Sequence, residues 1–363
     1  MTTSAIKFPY YAKLTLLLVG LYVLITILSK VQDIILPIIY ALLIAILMSP
    51  LVNVLVKKGI NNTVAIFLVL LTTFTILSAF ILWIGSQASL LGEAFPVLSA
   101  KFEELLKSVV SWTSDTFNIR ASKINRWIAD TKSDMFADSG AAIGMTLTTV
   151  GGLLATIFLT PVYVFMFLFY KPHLLQFIHK VFGSHHDNKV TEILTETKTI
   201  VQSYLLGLFA EMAIVGALNS AGLLLLGIDY AILLGIGGAI LNVIPYLGGL
   251  IAIAIFMIVA LVTKAPVYAL YVLMLYAVIQ FLDNNFIVPK IVGSKVKLNA
   301  LVCLVAVIAG GALWGIPGMF LSIPILAIVK LVLDRIPELK PWGFMMGDEN
   351  EPLIKMKRRK AAA

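Results

Sequence analysis

The sequence predicts an all-α, polytopic integral membrane protein. Mean hydropathy is +1.00, and only 13% of the 363 residues are charged, where a soluble domain carries about a quarter. Several apolar runs reach the length of about 18 uncharged residues that a spanning helix needs. Inside hydrocarbon only a closed helix satisfies its own backbone polar groups, so each run is read as helix.

In chain order the runs cover residues 14–28, 34–56, 64–91, 145–170, 204–227, 231–262, 267–287 and 298–333. The first follows Lys7 and Lys13 and has no small-residue cleavage site before Lys30, Val31, Gln32 and Asp33, so it is a retained span and not a removed signal. Two runs are too long for one straight crossing. A helix of roughly 32 residues from Ala231 would reach about 48 Å, and one of roughly 36 from Leu298 about 54 Å, against a hydrocarbon core near 30 Å. Each carries breakers near its middle: Asn242 to Gly249 around Pro245 in one, Gly310 to Gly318 around Pro317 in the other. Each is therefore two half-length helices joined by a turn.

Basic residues decide how these segments are laid out. With the N-terminus inside and every segment crossing, seventeen Lys and Arg fall on the cytoplasmic side and ten outside; Lys290, Lys295 and Lys297 sit on the wrong side. If both long segments re-enter, the split becomes nineteen to eight, closer to the positive-inside rule. The expected layout is six full spans plus two Pro/Gly-broken re-entrant hairpins entering from opposite faces, with both termini cytoplasmic; eight simple spans is the alternative. An inverted pair of interrupted segments points to a midplane site in transporters.

This layout divides the chain into three spans (1–92), an amphipathic helical extracytoplasmic insert (93–143), a fourth span (144–170), amphipathic cytoplasmic helices (171–203), a core with both hairpins (204–335) and a basic tail (336–363). In the insert Leu98, Phe102, Leu105, Leu106 and Val109 recur at helical spacing, with Lys101, Glu103, Glu104 and Lys107 opposite. Ile193, Leu194, Thr197, Ile200, Val201 and Tyr204 form a second stripe. Such stripes bury against neighbouring helices or subunits, or serve partner binding and gating. The net charge of +8 resides in loops and in the run Lys355, Lys357, Arg358, Arg359, Lys360. That placement suits an anionic leaflet, not nucleic acid. Cys303 lies alone in an apolar run, so it packs and forms no internal disulfide.

Ionisable groups inside apolar helices are costly, which makes Glu211 and Asp283 the first functional candidates. Glu211 lies about two turns from Asn219 on a related face. Asp283 opens Asp283-Asn284-Asn285, with Gln280 one turn earlier. Each carboxylate serves proton or cation binding, or a structural polar contact or cap. The turn from Asn242 to Gly249 offers an amide and a backbone carbonyl freed by Pro245, an acceptor that a solute or cation could use. Gly315, Pro317 and Gly318, with Ser322 and Pro324, offer the same in the second hairpin; glycines there equally suit close helix packing.

Other chemistry is excluded by what the sequence lacks. His173, His179, His185 and His186 with Asp187 match no compact ligand set, so no metal is expected. No His-Glu-x-x-His, Gly-x-Ser-x-Gly or phosphate-binding Gly-Lys-Ser motif occurs, and no cofactor or catalytic pair is implied. A carrier or channel not driven by ATP within this chain is the class that remains; a membrane scaffold is the non-transporting rival.

Three blocks in the C-terminal half carry a resemblance. They are Asn242-Val243-Ile244-Pro245-Tyr246-Leu247-Gly248-Gly249, then Gln280 through Asp283-Asn284-Asn285 to Pro289 and Gly293, then Gly315-Ile316-Pro317-Gly318-Met319 with Ile323-Pro324. In order and spacing they resemble the autoinducer-2 exporter family of bacterial transporters, strongly over 200–335 and in layout over the whole chain. The resemblance implies an inner-membrane homo-oligomer, pentameric in form, that exports a small polar signal such as autoinducer-2. Some relatives instead exchange sodium or lithium for protons. The family often has Glu where Asp283 stands. The expected solute site lies between the hairpins, lined by Asn242, Pro245, Tyr246, Gly248, Pro317 and Gly318, with Asp283 and Glu211 as polar partners.

Overall fold

In the computed structural model, residues 9–117, 122, 159–182, 187–245, 247–293 and 298–348 are described. Tyr246, His185, His186, Lys295, Lys297, most of the insert beyond residue 117, the first part of the 145–170 run and the basic tail from residue 349 on lie outside them. Helices α1 (Tyr10–Lys30), α2 (Gln32–Lys57) and α3 (Asn62–Phe117) open the chain. Then come α4 (Leu159–Phe169), α5 (Lys171–Phe182), α6 (Asp187–Leu225), α7 (Ala231–Asn242), α8 (Leu247–Thr263) and α9 (Val267–Leu282). Two π-helical turns (Asp283–Ile287, Pro289–Gly293), α10 (Ala300–Arg335) and α11 (Lys340–Met346) complete it. Among the described residues there is no strand, and six helices are long and apolar enough to cross a membrane. The protein is an all-α, multi-pass membrane protein.

Composition changes at the start of the insert, but the helix does not end there. α3 runs 56 residues through Gly92 and Pro96, about 84 Å, far beyond a hydrocarbon core. Its second half therefore projects out of the apolar slab as a continuation of the third span. α6 likewise fuses the amphipathic stripe and the following apolar run into one helix of 39 residues.

Both long apolar segments double back. α7 and α8 pack antiparallel as hairpin 1: a methyl group built on Gly238 would meet the Ala252 Cβ at 3.4 Å and the Phe256 ring at 2.4 Å. On one straight helix residues 238 and 252 would be about 21 Å apart. In hairpin 2, α10 turns at Trp314 and Gly315, where Gly315 has φ +63° and ψ −144°, a region open to glycine and strained for other residues. Ser322 Oγ, with one proton to share, lies 2.6 Å from Gly318 O and 2.9 Å from Ala306 O. Residues 306 and 322 would be about 24 Å apart if α10 were straight. A single straight crossing is thereby excluded for both segments.

Helix α6 is the axis on which the two hairpins are mounted. Hairpin 1 starts at Ile228, just past the end of α6, while Arg335 at the base of hairpin 2 pairs with Glu192 and Glu196 near its start, each at 2.5 Å. The two bases are thus separated by almost the whole helix, and the hairpins approach from opposite ends. Hairpin 2 packs Leu321 and Trp314 with Leu43 of α2 and with Val201, Tyr204 and Leu205 of α6. Its tip is tied outward as well, since Trp314 Nε1 donates to Leu28 O at 3.0 Å.

Proline in α2 shows how such helices stay satisfied. Pro50 has no N–H for the Ile46 carbonyl, and Gln202 Nε2 of α6 donates to that oxygen at 2.6 Å. The orphaned acceptor becomes an interhelical tie.

Candidate functional site

The site is set by small residues. α6 presents Gly216 and Ser220, α7 presents Gly235 and Ala239, each pair four apart and so on one face. Gly216 faces the Ala239 Cβ at 3.4 Å from its would-be methyl position, and Gly235 faces the Ser220 backbone N at 2.4 Å. Nothing larger than glycine fits at 235. The antiparallel register is fixed by these two contacts, 220 against 235 and 216 against 239. Carried one turn further, it sets Asn242 beside Glu211.

There Asn242 Nδ2 donates to Asp283 Oδ2 at 3.0 Å and reaches Glu211 Oε1 at 3.4 Å. One amide with two N–H groups joins two carboxylates from three elements: the middle of α6, the last residue of α7 and the start of the π-turns after α9. Asp283 is 1% exposed and Glu211 8% exposed. Asp283 Oδ1 is buried without a hydrogen-bond partner among the described residues. A buried acceptor left unmade costs about 1–3 kcal/mol, more on a charged group. Together these features offer a proton or a small cation a place that no donor among the described residues fills.

The π-turns give Asp283 its direction. Pro289 cannot donate to the carbonyl of residue 285, so regular i→i−4 bonding fails at this point; the Val288 N–H bonds to Asp283 O, five residues back, and Asn285 Nδ2 donates to Phe281 O at 2.8 Å. Wide π-turns of this kind recur at functional sites. Asn284 accepts from Gln280 Nε2 at 3.4 Å, and both Asn284 and Asn285 are exposed, facing away from the carboxylates. Pro289 is exposed too.

Gly248 and Gly249 bring hairpin 1 close. A methyl on Gly248 would lie 1.7 Å from Leu241 O; one on Gly249 would meet Tyr276 Oη at 2.7 Å, Asn242 Oδ1 at 3.4 Å and Gln280 Oε1 at 3.6 Å. Tyr276 donates to Gly249 O at 2.9 Å, locking the second arm to α9. The carbonyl that Pro245 leaves is that of Leu241, and the Ile244 N–H takes it at 2.9 Å. It is therefore spoken for, and Asp283 Oδ1 is the open acceptor.

Asn219 is 2% exposed with an unpartnered Oδ1. It stands about 12 Å along α6 from Glu211, a second polar point on the same helix and not part of the carboxylate cluster. The second hairpin's residues have other neighbours. Pro317 O accepts from Tyr40 at 3.4 Å, and Gly318 abuts Gly310, where a methyl would lie 1.9 Å from Gly310 O. Pro317 and Gly318 close hairpin 2 on itself and on α2, while Gly315 at the turn is exposed, with nothing within 4 Å of a would-be methyl. They share no described contact with Asn242, so the structure gathers the carboxylate cluster without them.

Sequence reasoning placed Glu211, Asn242 and Asp283 in one expected site but missed Tyr276, Gly216, Ser220, Gly235 and Ala239. The small-x-x-x-small pairs on two consecutive apolar helices were the available signal.

Paired hairpins on a common helix, with buried carboxylates beside a broken turn, define a membrane transporter. A model of the AI-2E family of transporters matches residues 12–338, and the chain belongs to that family. Bacillus subtilis YueF, named as a transport protein, is 26% identical over 331 residues, covering 85% of this chain and 86% of its own. A Mycobacterium tuberculosis protein also named for transport is 25% identical, covering 86% and 85%. Escherichia coli PerM, named as a permease, is 26% identical over 60% of this chain and 63% of its own.

Proposed function

We propose that this chain is a secondary transporter in which a proton or a monovalent cation binds between Glu211 and Asp283, so that exchange of sodium or lithium for protons is the activity its geometry supports best. The observation that carries the reading is the unpartnered, buried Oδ1 of Asp283 beside a second carboxylate. Two buried acids bridged by one amide do not both stay ionised in an apolar slab at low cost. Binding of H⁺ or Na⁺ relieves that cost, and competition between the two is what couples opposing fluxes. Movement of the hairpins about α6 would expose the pair to alternate sides.

A second reading, export of a small polar solute such as autoinducer-2, is favoured by the three motif blocks in 242–324 and by the family's membership. In that case the same pair supplies the coupling ion. Inner-membrane placement, cytoplasmic termini and a homo-oligomeric, pentameric assembly belong to this proposal; the basic residues in the loops support the orientation.

Proteoliposomes of the purified protein test both. A sodium gradient should drive a pH-dye response that Asp283→Asn abolishes and that wild type shows without added solute. Release of preloaded autoinducer-2 without any sodium-driven proton movement would instead support the export reading alone. No flux of either kind would remove transport by this site.

A further inference from the structure

Away from the carboxylates, α2, α3, α4 and α5 border an open cavity of about 240 Å³ lined in part by Ser49, Val52, Asn53, Asn62, Leu168 and Lys171. Val52 and Leu168 form an apolar floor, and Ser49 is 4% exposed. Lys171 Nζ donates to Ser49 Oγ at 2.8 Å. That leaves two ammonium protons for something else, and among the described residues no acid is paired with it. Lys198 of α6 adds a second positive charge, close enough that its repulsion, after burial, helps hold the Lys171 ammonium below the ordinary lysine range.

Lys171 thus borders a partly polar cleft whose other polar lining is a hydroxyl and two amides, with Lys198 adding positive field and no acid among the described residues paired with it. The cavity lies where α2 and α4 leave the apolar slab, since Lys57 and Lys58 follow one and α5 the other. We infer that this cavity binds the phosphate group of an anion, Lys171 and Ser49 contacting its oxygens, Asn53 and Asn62 flanking it and Lys198 adding field. Basic pockets between spanning helices suit anionic headgroups in this way, and a free phosphate offers the same oxygens. Nothing in this inference depends on which ion or solute the carboxylate pair carries.

The test uses the full-length protein in a neutral detergent, with thermal unfolding followed during titration by dioctanoyl phosphatidylglycerol, dioctanoyl phosphatidylcholine or sodium phosphate in parallel. Phosphatidylglycerol should raise the unfolding temperature saturably, and Lys171→Gln should weaken its apparent affinity about tenfold. Lys198→Gln, which leaves the Ser49–Lys171 bond in place, should weaken it several-fold, while Lys180→Gln on the exposed face of α5 should not. Saturable stabilisation by phosphate alone, lost in the same two variants, would assign the site to the free anion. Equal stabilisation by phosphatidylcholine, or retention of the phosphatidylglycerol response in both Lys171→Gln and Lys198→Gln, would overturn the inference.

Discussion

Asn242 and Asp283, 41 positions apart in sequence, are joined by a 3.0 Å hydrogen bond in which the Asn242 amide is the donor. The bond ties the tip of hairpin 1 to the first π-turn after α9, and the amide's second proton is directed at Glu211. Any change in the charge or ligation of the pair therefore acts directly on the turn of hairpin 1. Replacing Asn242 by Leu removes the donor and leaves two buried carboxylates facing an apolar group. Flux should fall at least about tenfold, with a loss of stability of roughly 1–3 kcal/mol. Asn242→Gln, with the same amide one methylene further out, should recover part of the flux. Transport assays beside thermal unfolding separate the two effects.

Asp283→Asn and Glu211→Gln should differ. Asp283 has the open acceptor and the lower exposure, so its neutral amide should abolish ion-coupled transport while keeping the fold, because an amide still accepts from Asn242. Glu211 sits at the longer, 3.4 Å end, and its loss should change apparent ion affinity more than maximal rate. Initial rates over a range of sodium concentration measure this. Equal collapse of both variants would mean that the pair acts as one unit.

The glycines of hairpin 1 divide by what surrounds them. A methyl on Gly248 would lie 1.7 Å from Leu241 O, whereas one on Gly237 meets nothing within 4 Å. Gly248→Ala should therefore fail to assemble the hairpin, seen as loss of folded protein in detergent. Gly237→Ala should be neutral or slightly stabilising, as an alanine inside a helix gains up to about 1 kcal/mol over glycine.

Much of this arrangement was legible in the sequence, for physical reasons. An apolar run twice too long, with Pro and Gly at its middle, has to bend, and both hairpins follow from that. Glu211 and Asp283 were conspicuous because hydrocarbon penalises a charge. That they share a site with Asn242 was expected; the hydrogen bonds by which Asn242 joins them were not legible, because these depend on the register of α6 against α7 and so on the facing of Gly216, Ser220, Gly235 and Ala239. The fusion of the third span with the insert escaped because Gly92, Pro96 and a change of polarity read as a boundary, while the backbone carries the helix through them. The hairpin 2 residues Gly315, Pro317 and Gly318 read as ligand-facing because a freed carbonyl near a proline invites a partner; here Tyr40 takes the Pro317 carbonyl and the hairpin's own arm covers Gly318, while Gly315 stays exposed.

The ion pairs at the base of hairpin 2 should matter modestly and in a salt-dependent way. Arg335 reaches Glu192 with one guanidinium nitrogen and Glu196 with the other, and all three side chains are at least a third exposed or nearly so. A guanidinium stays protonated throughout the pH range in which proteins fold, so Arg335 keeps its charge. Exposed pairs contribute roughly 0–1 kcal/mol. Arg335→Gln should lower the unfolding temperature by a few degrees at low salt, and that difference should shrink at about 1 M salt, where charges are screened within about 3 Å.

Asn299 offers a sharper test of how hairpin 2 is held, because its two side-chain atoms do separate work. Its Oδ1 accepts from the Val302 N–H at 2.8 Å and so caps the start of α10; its Nδ2 donates to Met345 O at 2.7 Å and Gly347 O at 3.2 Å, pinning the end of α11 across the hairpin's base. The Asn299 N–H adds a bond to Met346 O at 3.0 Å that any substitution except proline keeps. Asn299→Asp retains the cap acceptor and loses the donor; it also places a negative charge beside two carbonyl oxygens. Asn299→Ala loses both functions, at about 1 kcal/mol for the cap and a similar amount for the pinning bonds. If the cap dominates, Asp should be close to wild type in unfolding temperature and Ala well below it. If the pinning dominates, Asp should be as damaged as Ala, and amide exchange should rise in 340–346 before it rises in 300–313. The geometry favours the second order, since two of the three side-chain bonds, the shortest among them, cross to the end of α11 while the cap serves only one helix turn.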